Sequence, residues 1–402
     1  MRVLVLNAGS SSVKVSVVDD AGQRTFDRDL AHHPSQLPAE ELQRLAADHG
    51  PIDAVGHRIV HGGDGFGGPV QVDDKVLAQI EALTPLAPLH QPAGVAGIRA
   101  AMKALPAVVN VACFDTAFHR SLPEAAATYA LPADWRSRFG LRRYGFHGLS
   151  HAWAWRRAVA LLSRNGRDGP VEEDGRNGRD GAVRRDGPVE DLRIDRDRPV
   201  EDLRIVTCHL GGGSSLCAIR GGRSQDTTMG FTPLEGLVME TRSGSVDPGL
   251  VLWLIQQGGL SPAEVNDGLE HNAGLAALSG TSGDMQEVMA AVANVGNRRA
   301  ALALEVWLHR LVREIGAMVG ALGGLDVLVF TGGIGEHAPD LRARAAARLA
   351  YLGVALDQER NAAAQDDTDI SALESSCATC VVKAGEDLEI ALEVRAHLEP
   401  RA

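Results

Sequence analysis

Aromatic side chains are scarce: Phe, Trp and Tyr make up 4% of the 402 residues. So few rings give little platform for stacking bases, which argues against a single-strand nucleic-acid binder. Positive charge is also short, the formal net charge being −12 at pH 7. That excludes a general phosphate-backbone binder but leaves room for a local basic pocket. Cysteine is limited to five and odd in number (Cys113, Cys208, Cys217, Cys377, Cys380), as in a reducing compartment rather than a disulfide-stapled secreted domain. Cys377-Ala-Thr-Cys380 is a lone C-x-x-C, which without a second pair reads as thiols beside a strand rather than a zinc or redox centre. No apolar run approaches the ~20 residues of a membrane span. The run after Met1 stops at Asn7, before a secretory core can form. A cytoplasmic protein without nucleic-acid or membrane partners is expected.

Glycine, by contrast, is abundant at 45 residues, in a chain with an ordinary 45% hydrophobic and 23% charged composition. Single cores seldom grow past ~250–300 residues, so two domains are expected. "VLVLNAGSSSVKVSVVDD" (3–20) reads as strand, Gly/Ser turn, strand. Val13, Val15 and Val17 alternate with Lys14 and Ser16, which predicts a half-buried second strand. "RIVTCHLGGGSSLCAIRGGR" (204–223) repeats the arrangement, and "LDVLVFTGGIGEHAP" (325–339) places a third glycine turn after an apolar strand, downstream of an amphipathic helix over 301–322. One such turn is an ordinary hairpin. Three, each following an apolar strand, point to anion cradles built from backbone N–H groups.

Between these landmarks, residues 72–92 predict a helix with Val76, Ile80 and Leu83 on one face, stopped by Pro85. Residues 107–119 predict a buried strand ending in a polar turn at Asp115, and 144–162 a turn feeding a helix. Over residues 164–203 "NGRDG" occurs at 165–169 and 177–181, and "PVEDLRI" occurs at 188–194 and again from 199 to 205. This is low-complexity sequence with little to bury, expected to be a disordered insert.

Several side chains invite chemistry. Arg58 in "GHRIVHGG" and Arg242 in "METRSGSVDPG" are expected in glycine-rich loops, where a guanidinium fork can grip carboxylate or phosphoryl oxygens. His61, His90, His147 and His209 adjoin glycine turns, and His147, at the mouth of a helix in "YGFHGLSH", has the strongest functional case. His151 stands four residues on, but no Glu between them completes H-E-x-x-H, so zinc is discounted. Asp115 and Glu386 are expected at strand ends, where hard carboxylate oxygens suit Mg²⁺.

Taken in order, "NAGSSSVK", "GHRIVHGG", "APLHQP", "FDTAFH", "YGFHGLSH", "HLGGGSS", "TTMGFTPLEGLVMETRSG", "FTGGIGE" and "AGED" resemble the motifs of the acetate kinase family over nearly the whole chain. The resemblance implies an α/β protein of two duplicated ribonuclease H-like (actin/Hsp70-type) domains around an active-site cleft. It implies an N-terminal lobe over 1–150, completed by the C-terminal helix 386–402, and a C-terminal lobe over 151–385. It implies reversible phosphoryl transfer between ATP and acetate, with Mg²⁺ or Mn²⁺, by a homodimer. By position, Asn7, Ser10, Ser12 and Lys14 would form the first phosphate turn. Arg58 and Arg242 would hold acetate and the phosphoryl, His147 would stabilise it in flight with His90 and His209 nearby, and Asp115 would help hold acetate or metal. Glu386 would take Mg²⁺ with Asn7 beside it. Val60, Leu89, Phe146 and Pro233 would wall the methyl pocket. Gly211, Gly212 and Gly213 would meet phosphates, and Asp284, Met285, Gln286, Gly332, Gly333, Ile334, Gly335 and His337 would hold adenosine.

Four positions depart from that family's usual pattern: Gly212 for Asn, Gln286 for an adenine-packing Arg, His337 for Asn, and Ser245 for Asp. Loss of one stacking arginine costs on the order of 1 kcal/mol, enough to weaken a nucleotide without abolishing its use. Three alternatives follow: propionate as acceptor, another donor such as pyrophosphate, and a nucleotide-binding relative without turnover.

Overall fold

A computed structural model describes residues 1–8, 13–30, 39–165, 199, 202–294 and 296–399. Ser10 and Ser12 of the first turn, and nearly all of the 164–203 repeat, lie outside the described residues. At the margins of that repeat the helix beginning at Gly148 runs on to Asn165, and Leu203 is buried in the core, so the apolar fold resumes earlier than the repeat pattern implies.

The first sheet holds β1 (Val3–Ala8), β2 (Val13–Val18), β3 (Arg24–Leu30), β4 (Ala54–Ile59), β5 (Val70–Gln71) and β6 (Val109–Phe114), in the order β3-β2-β1-β4-β6-β5. β1, β2 and β3 pair antiparallel; β4 and β6 run parallel to β1, and β5 closes the edge antiparallel. The second sheet holds β7 (Arg204–Leu210), β8 (Ser214–Arg220), β9 (Arg223–Thr227), β10 (Val327–Thr331), β11 (Thr368–Asp369) and β12 (Ala378–Val381), in the order β11-β12-β10-β7-β8-β9. Its pairings repeat the first sheet's strand for strand: an antiparallel meander, two parallel strands, an antiparallel edge. The fold is therefore a duplicated ribonuclease H-like α/β unit.

Helices cover both faces of each sheet, so the central strands read as continuous apolar runs. α1 (Gln91–Ala104) packs on β1 and β4, and α2 (Gly148–Asn165) on β7 and β10. α3 (Arg298–Leu322) covers the other face of the second sheet, and α4 (Glu386–Leu398) the other face of the first. α2 and α4 also pack on each other, forming the middle layer between the sheets. Ser16 shows the consequence. Alternation predicts a solvent-facing position, but α4 lies over that face and Ser16 is 1% exposed.

α3 illustrates the local logic. Leu304, Trp307, Leu308, Leu311 and Ile315 recur at spacings of three and four and are all buried. Asn297 caps its start by accepting from Ala300 N at 3.1 Å, and Gly323 ends it in the left-handed region at φ 70°. The five cysteines are buried free thiols; burial pushes Cys380 on β12 well above its ordinary value, which leaves it an inert core group.

Candidate active site

Functional side chains gather at the carboxyl ends of the parallel strands, where open α/β sheets place their ligands. Arg58 is the penultimate residue of β4, not part of the following glycine loop as the sequence suggested. Hydrogen bonding to β1 and β6 on either side fixes its direction. Its guanidinium donates to both Asp115 oxygens, Nε to Oδ1 at 3.1 Å and Nη2 to Oδ2 at 2.7 Å. Nη1 donates to Asn7 Oδ1 at 3.1 Å, and Asn7 Nδ2 donates in turn to Glu386 Oε2 at 3.1 Å. Burial works against the Arg58 charge, but Asp115 and Glu386 more than offset it and raise the guanidinium above its ordinary value. Asp115, one residue past β6, thus sits behind Arg58 as its orienting partner. Glu386 opens α4 rather than closing β12. Burial opposes its charge too, and Arg58, His209 and Asn7 together hold it below the usual carboxylate range.

The loop into α2 supplies the next layer. Gly148 N donates to the Asp115 carbonyl at 2.9 Å. A Cβ on residue 148 would lie 2.1 Å from that oxygen, so glycine is what lets α2 begin against the end of β6. The residue before it, His147, has φ 55°, a left-handed conformation costly for any side chain but glycine and commonly found at functional sites. Its Nδ1 bonds Ser215 Oγ at 2.9 Å. The same hydroxyl meets His151 Nε2 at 2.9 Å, and His151 Nδ1 meets Thr207 Oγ1 at 2.8 Å. His209 Nδ1 meets Ser150 Oγ at 2.7 Å, its ring 4.3 Å from that of His147. Burial pushes His147, His151 and His209 below the ordinary histidine value, which favours their uncharged forms. His151 is a core histidine holding His147 through Ser215.

From the second half comes Arg242, in the loop expected for it. Nη1 donates to the Pro233 carbonyl at 3.2 Å, and Nε lies 3.6 Å from Glu270 Oε2. Burial lowers Arg242 from its ordinary value and Glu270 pulls it back. Arg58 and Arg242 approach from the two halves, and both bear on His90 and His147. His90 is pushed down to about 4, first by burial and then by both guanidinium groups. A Cβ on Gly213 would sit 3.3 Å from His147 Nε2 and 3.9 Å from Arg242 Nη1.

Two cavities flank this point. One, of ≈ 480 Å³, lies between Leu89, His90 and Pro92 on one side and Thr241, Arg242 and Glu270 on the other. The second, of ≈ 250 Å³, has an apolar floor of Met239, Met285 and Trp307, with Gly211 and Gly212 on one rim and Gly333, Ile334 and His337 on another. The segment Met239–Arg242 is their common wall: Met239 and Glu240 line the smaller cavity, Thr241 and Arg242 the larger.

Of the remaining expected residues, Asp284 and Gln286 line the smaller cavity, and Asp284 also caps the helix Met285–Ala293. Gly332 and Gly335 are buried in the short helix Gly332–His337. Lys14 is half exposed and its Nζ lies 3.3 Å from Asp27. Val60 and Phe146 pack with Ala87, Met229 and Met239 in a buried cluster, while Leu89 sits exposed on the lip of the larger cavity. Sequence reasoning missed Ser215, Glu270, Met229 and Met239. Each meets its partner only through the fold, and no local spacing marks it.

A metal would find modest provision. Among the described residues no group of three or more His, Cys, Asp or Glu side chains could hold an ion. Glu386 offers one carboxylate beside Asn7. That donor set fits Mg²⁺ arriving with phosphate oxygens and keeping its waters, not a closed protein cage.

The chain was compared with known proteins. The model of the acetokinase family matches residues 29–171 and 192–392. An acetate kinase of Dictyoglomus thermophilum is 39% identical, with 98% of each chain covered. Among solved structures, an acetate kinase of Porphyromonas gingivalis superposes with a TM-score of 0.80 at 34% identity, covering 99% of this chain and 100% of that one. A propionate kinase of Francisella tularensis gives 0.81 at 32% identity, covering 98% of both. With this family match and these full-length likenesses set on the duplicated fold, the chain belongs to the acetokinase family.

Proposed function

We propose that this protein is a carboxylate phosphotransferase that reversibly moves the γ-phosphate of ATP to acetate, giving acetyl phosphate and ADP. One observation carries the reading: two cavities share the wall Met239–Arg242, so a donor in one and a carboxylate in the other meet beside Arg242, which Gly213 sets next to His147. The apolar floor of the smaller cavity supports a nucleoside triphosphate over pyrophosphate, which has no apolar part to bury.

Two anions must approach, so the barrier is dominated by positioning and charge compensation. Asp115 aims Arg58, and Glu270 with the Pro233 carbonyl aims Arg242. Between them the guanidinium groups hold the acetate oxygen in line with the γ-phosphorus. That oxygen is already a carboxylate, so no general base is required. A new O–P bond forms as the β–γ bridging bond breaks, and ADP leaves with the electron pair. Neutral His147, fixed through Ser215, offers Nε2–H to an equatorial phosphoryl oxygen as charge spreads over it. Mg²⁺, or Mn²⁺ in its place, would be held by Glu386 with Asn7 nearby and would neutralise charge on the nucleotide's phosphates. Val60, Phe146 and the two methionines beside them would enclose the methyl group.

The test is hydroxylamine trapping of acyl phosphate from ATP, Mg²⁺ and acetate, alongside propionate and butyrate. Acetate with the highest kcat/KM supports the assignment; no product with any donor overturns it and leaves a nucleotide-binding protein. Propionate is the second reading, favoured by the ≈ 480 Å³ cavity, since one methylene is worth only ~1–3 kcal/mol of discrimination.

The same reading assigns residues 1–150 and 386–402 to one lobe and 151–385 to the other, in a cytoplasmic homodimer. Support for the dimer comes from the helix Pro248–Gln256, which buries none of its residues yet carries Leu250, Leu252 and Trp253. Large apolar side chains left exposed together on one helix mark an interaction surface, and a second copy is the occupant proposed for it.

A further inference from the structure

Glu240 lies on the wall common to both cavities and faces the smaller one. Its backbone is pinned: its N–H donates to the Gly212 carbonyl at 3.2 Å, and its carbonyl accepts from Ala276 N at 2.9 Å. Its carboxylate lies across the glycine turn after β7. A Cβ on residue 212 would come within 2.7 Å of Glu240 Oε2, so the acid occupies space that any side chain at 212 would claim. Half-buried there, the carboxylate makes no hydrogen bond or ion pair with any described residue. An ionised carboxylate only accepts, and this one lines the cavity with its acceptor sites unclaimed by donors from the described residues. Those open sites suit a ligand that brings donors.

The cavity narrows the choice. Its floor of Met239, Met285 and Trp307 suits a planar base and offers the acid nothing. Phosphate oxygens at Gly211 and Gly212 would repel it. The portion of a nucleotide between base and phosphates is the ribose, which carries two neighbouring hydroxyls. Paired neutral donors match the two oxygens of one carboxylate, the chemistry by which acidic side chains commonly hold ribose. We propose that Glu240 is a donor-specificity residue whose carboxylate accepts hydrogen bonds from the ribose hydroxyls of the phosphoryl-donor nucleotide. This rests on the nucleotide-dependent function proposed above and names a contact within it.

The test compares ATP with 2′-deoxy-ATP and 3′-deoxy-ATP as donors to acetate, in the unaltered protein and in Glu240→Ala and Glu240→Gln. Hydrogen bonds to a charged acceptor are strong enough that the unaltered enzyme should favour ATP by about tenfold in kcat/KM. In Glu240→Ala the ratio should fall to near one, and Glu240→Gln should lie between. The same ratios are read as Kd values for ADP and its deoxy forms by calorimetry. A protein inactive on acetate then fails the proposed function while the ribose contact stays measurable. An ATP preference unchanged in Glu240→Ala overturns the proposal. So does an unchanged preference accompanied by a raised Mg²⁺ requirement, which would give the carboxylate to the metal instead. Should Glu240→Ala fold poorly, the Glu240→Gln ratio decides alone: a preference equal to that of the unaltered protein refutes the contact.

Discussion

Arg242 is fastened at two corners of its guanidinium, Nη1 by the Pro233 carbonyl and Nε by Glu270, which leaves Nη2 for the cleft. Removing a preorganised charged donor from a phosphoryl-transfer site costs about 10²–10³ in rate. Arg242→Ala should therefore lose that factor in kcat/KM for acetate with its circular dichroism unchanged. Arg242→Lys should recover little, because an ammonium cannot satisfy both anchors and the substrate together. A nearly full-rate Arg242→Ala enzyme would remove the residue from the mechanism.

The buried histidines make a prediction in pH. His57 and His119 are pushed down to about 4, chiefly by burial, and the bonds to Asn110 and the Phe146 carbonyl recover only part of it. Unfolded, each titrates near 6.5, so between about 6.5 and 4 the unfolded chain binds more protons. Stability is then fully present above 6.5 and falls as the pH drops through that window, by on the order of 3 kcal/mol for each group. Glu393, pushed up to about 7 by burial and by Glu389, runs in the opposite sense. Burial also raises Asp115, Asp226 and Glu389, which run the same way as Glu393. The histidines lowered by burial (His57, His61, His90, His119, His147, His151 and His209) outnumber these four carboxyls, so the net slope keeps its sign. Urea melts at pH 7.5, 5.5 and 4.5 should show it, and equal midpoints would contradict it.

At the scale of elements, the junction of β6 and α2 is the most constrained point of the site. Gly148→Ala would drive a methyl group into the Asp115 carbonyl. The strand end or the helix must yield, and either movement displaces Asp115 and His147 together. A loss of roughly 1–3 kcal/mol in stability is expected from such overpacking. A drop of ~100-fold in kcat/KM should accompany it, since misplacements near 1 Å have that effect. Thermal melts and initial rates check both, and a variant stable but slow would place the strain in the site alone.

The same elements show what the sequence made legible. Strand–turn–strand at both 3–20 and 204–223 announced the duplication, because apolar runs broken by Gly and Ser are local signals. The amphipathic repeat of α3 was equally plain. Arg58 was not: a charged residue among glycines reads as loop until its pairing with Cys113 on β6 is known. The chain from His147 through Ser215 and His151 to Thr207 joins residues far apart in sequence, and its geometry exists only after α2 has docked on β7 and β8.

Over the whole molecule, the duplicated sheets set one half-site against the other, and the second half must also hold the loop that carries Arg242. That loop runs directly into the helix Pro248–Gln256, whose Leu250, Leu252 and Trp253 are 47%, 55% and 57% exposed. Asp247 caps the helix by accepting from Gly249 N at 2.8 Å, so its start is fixed while its apolar side chains stay uncovered. Burying a large apolar side chain contributes ~1.5–3 kcal/mol, and a few on each of two copies would suffice for a stable contact only if packed symmetrically about a twofold axis. The unaltered protein should sediment as a dimer at micromolar concentration, and Leu252→Glu with Trp253→Glu should sediment as a monomer of unchanged circular dichroism. The monomer should also show a higher KM for acetate, because the loop bearing Arg242 would then be anchored at one end only. A double variant that remains dimeric would assign the contact to another face, and an unaltered protein that sediments as a monomer would leave the exposed leucines and tryptophan without the partner proposed for them.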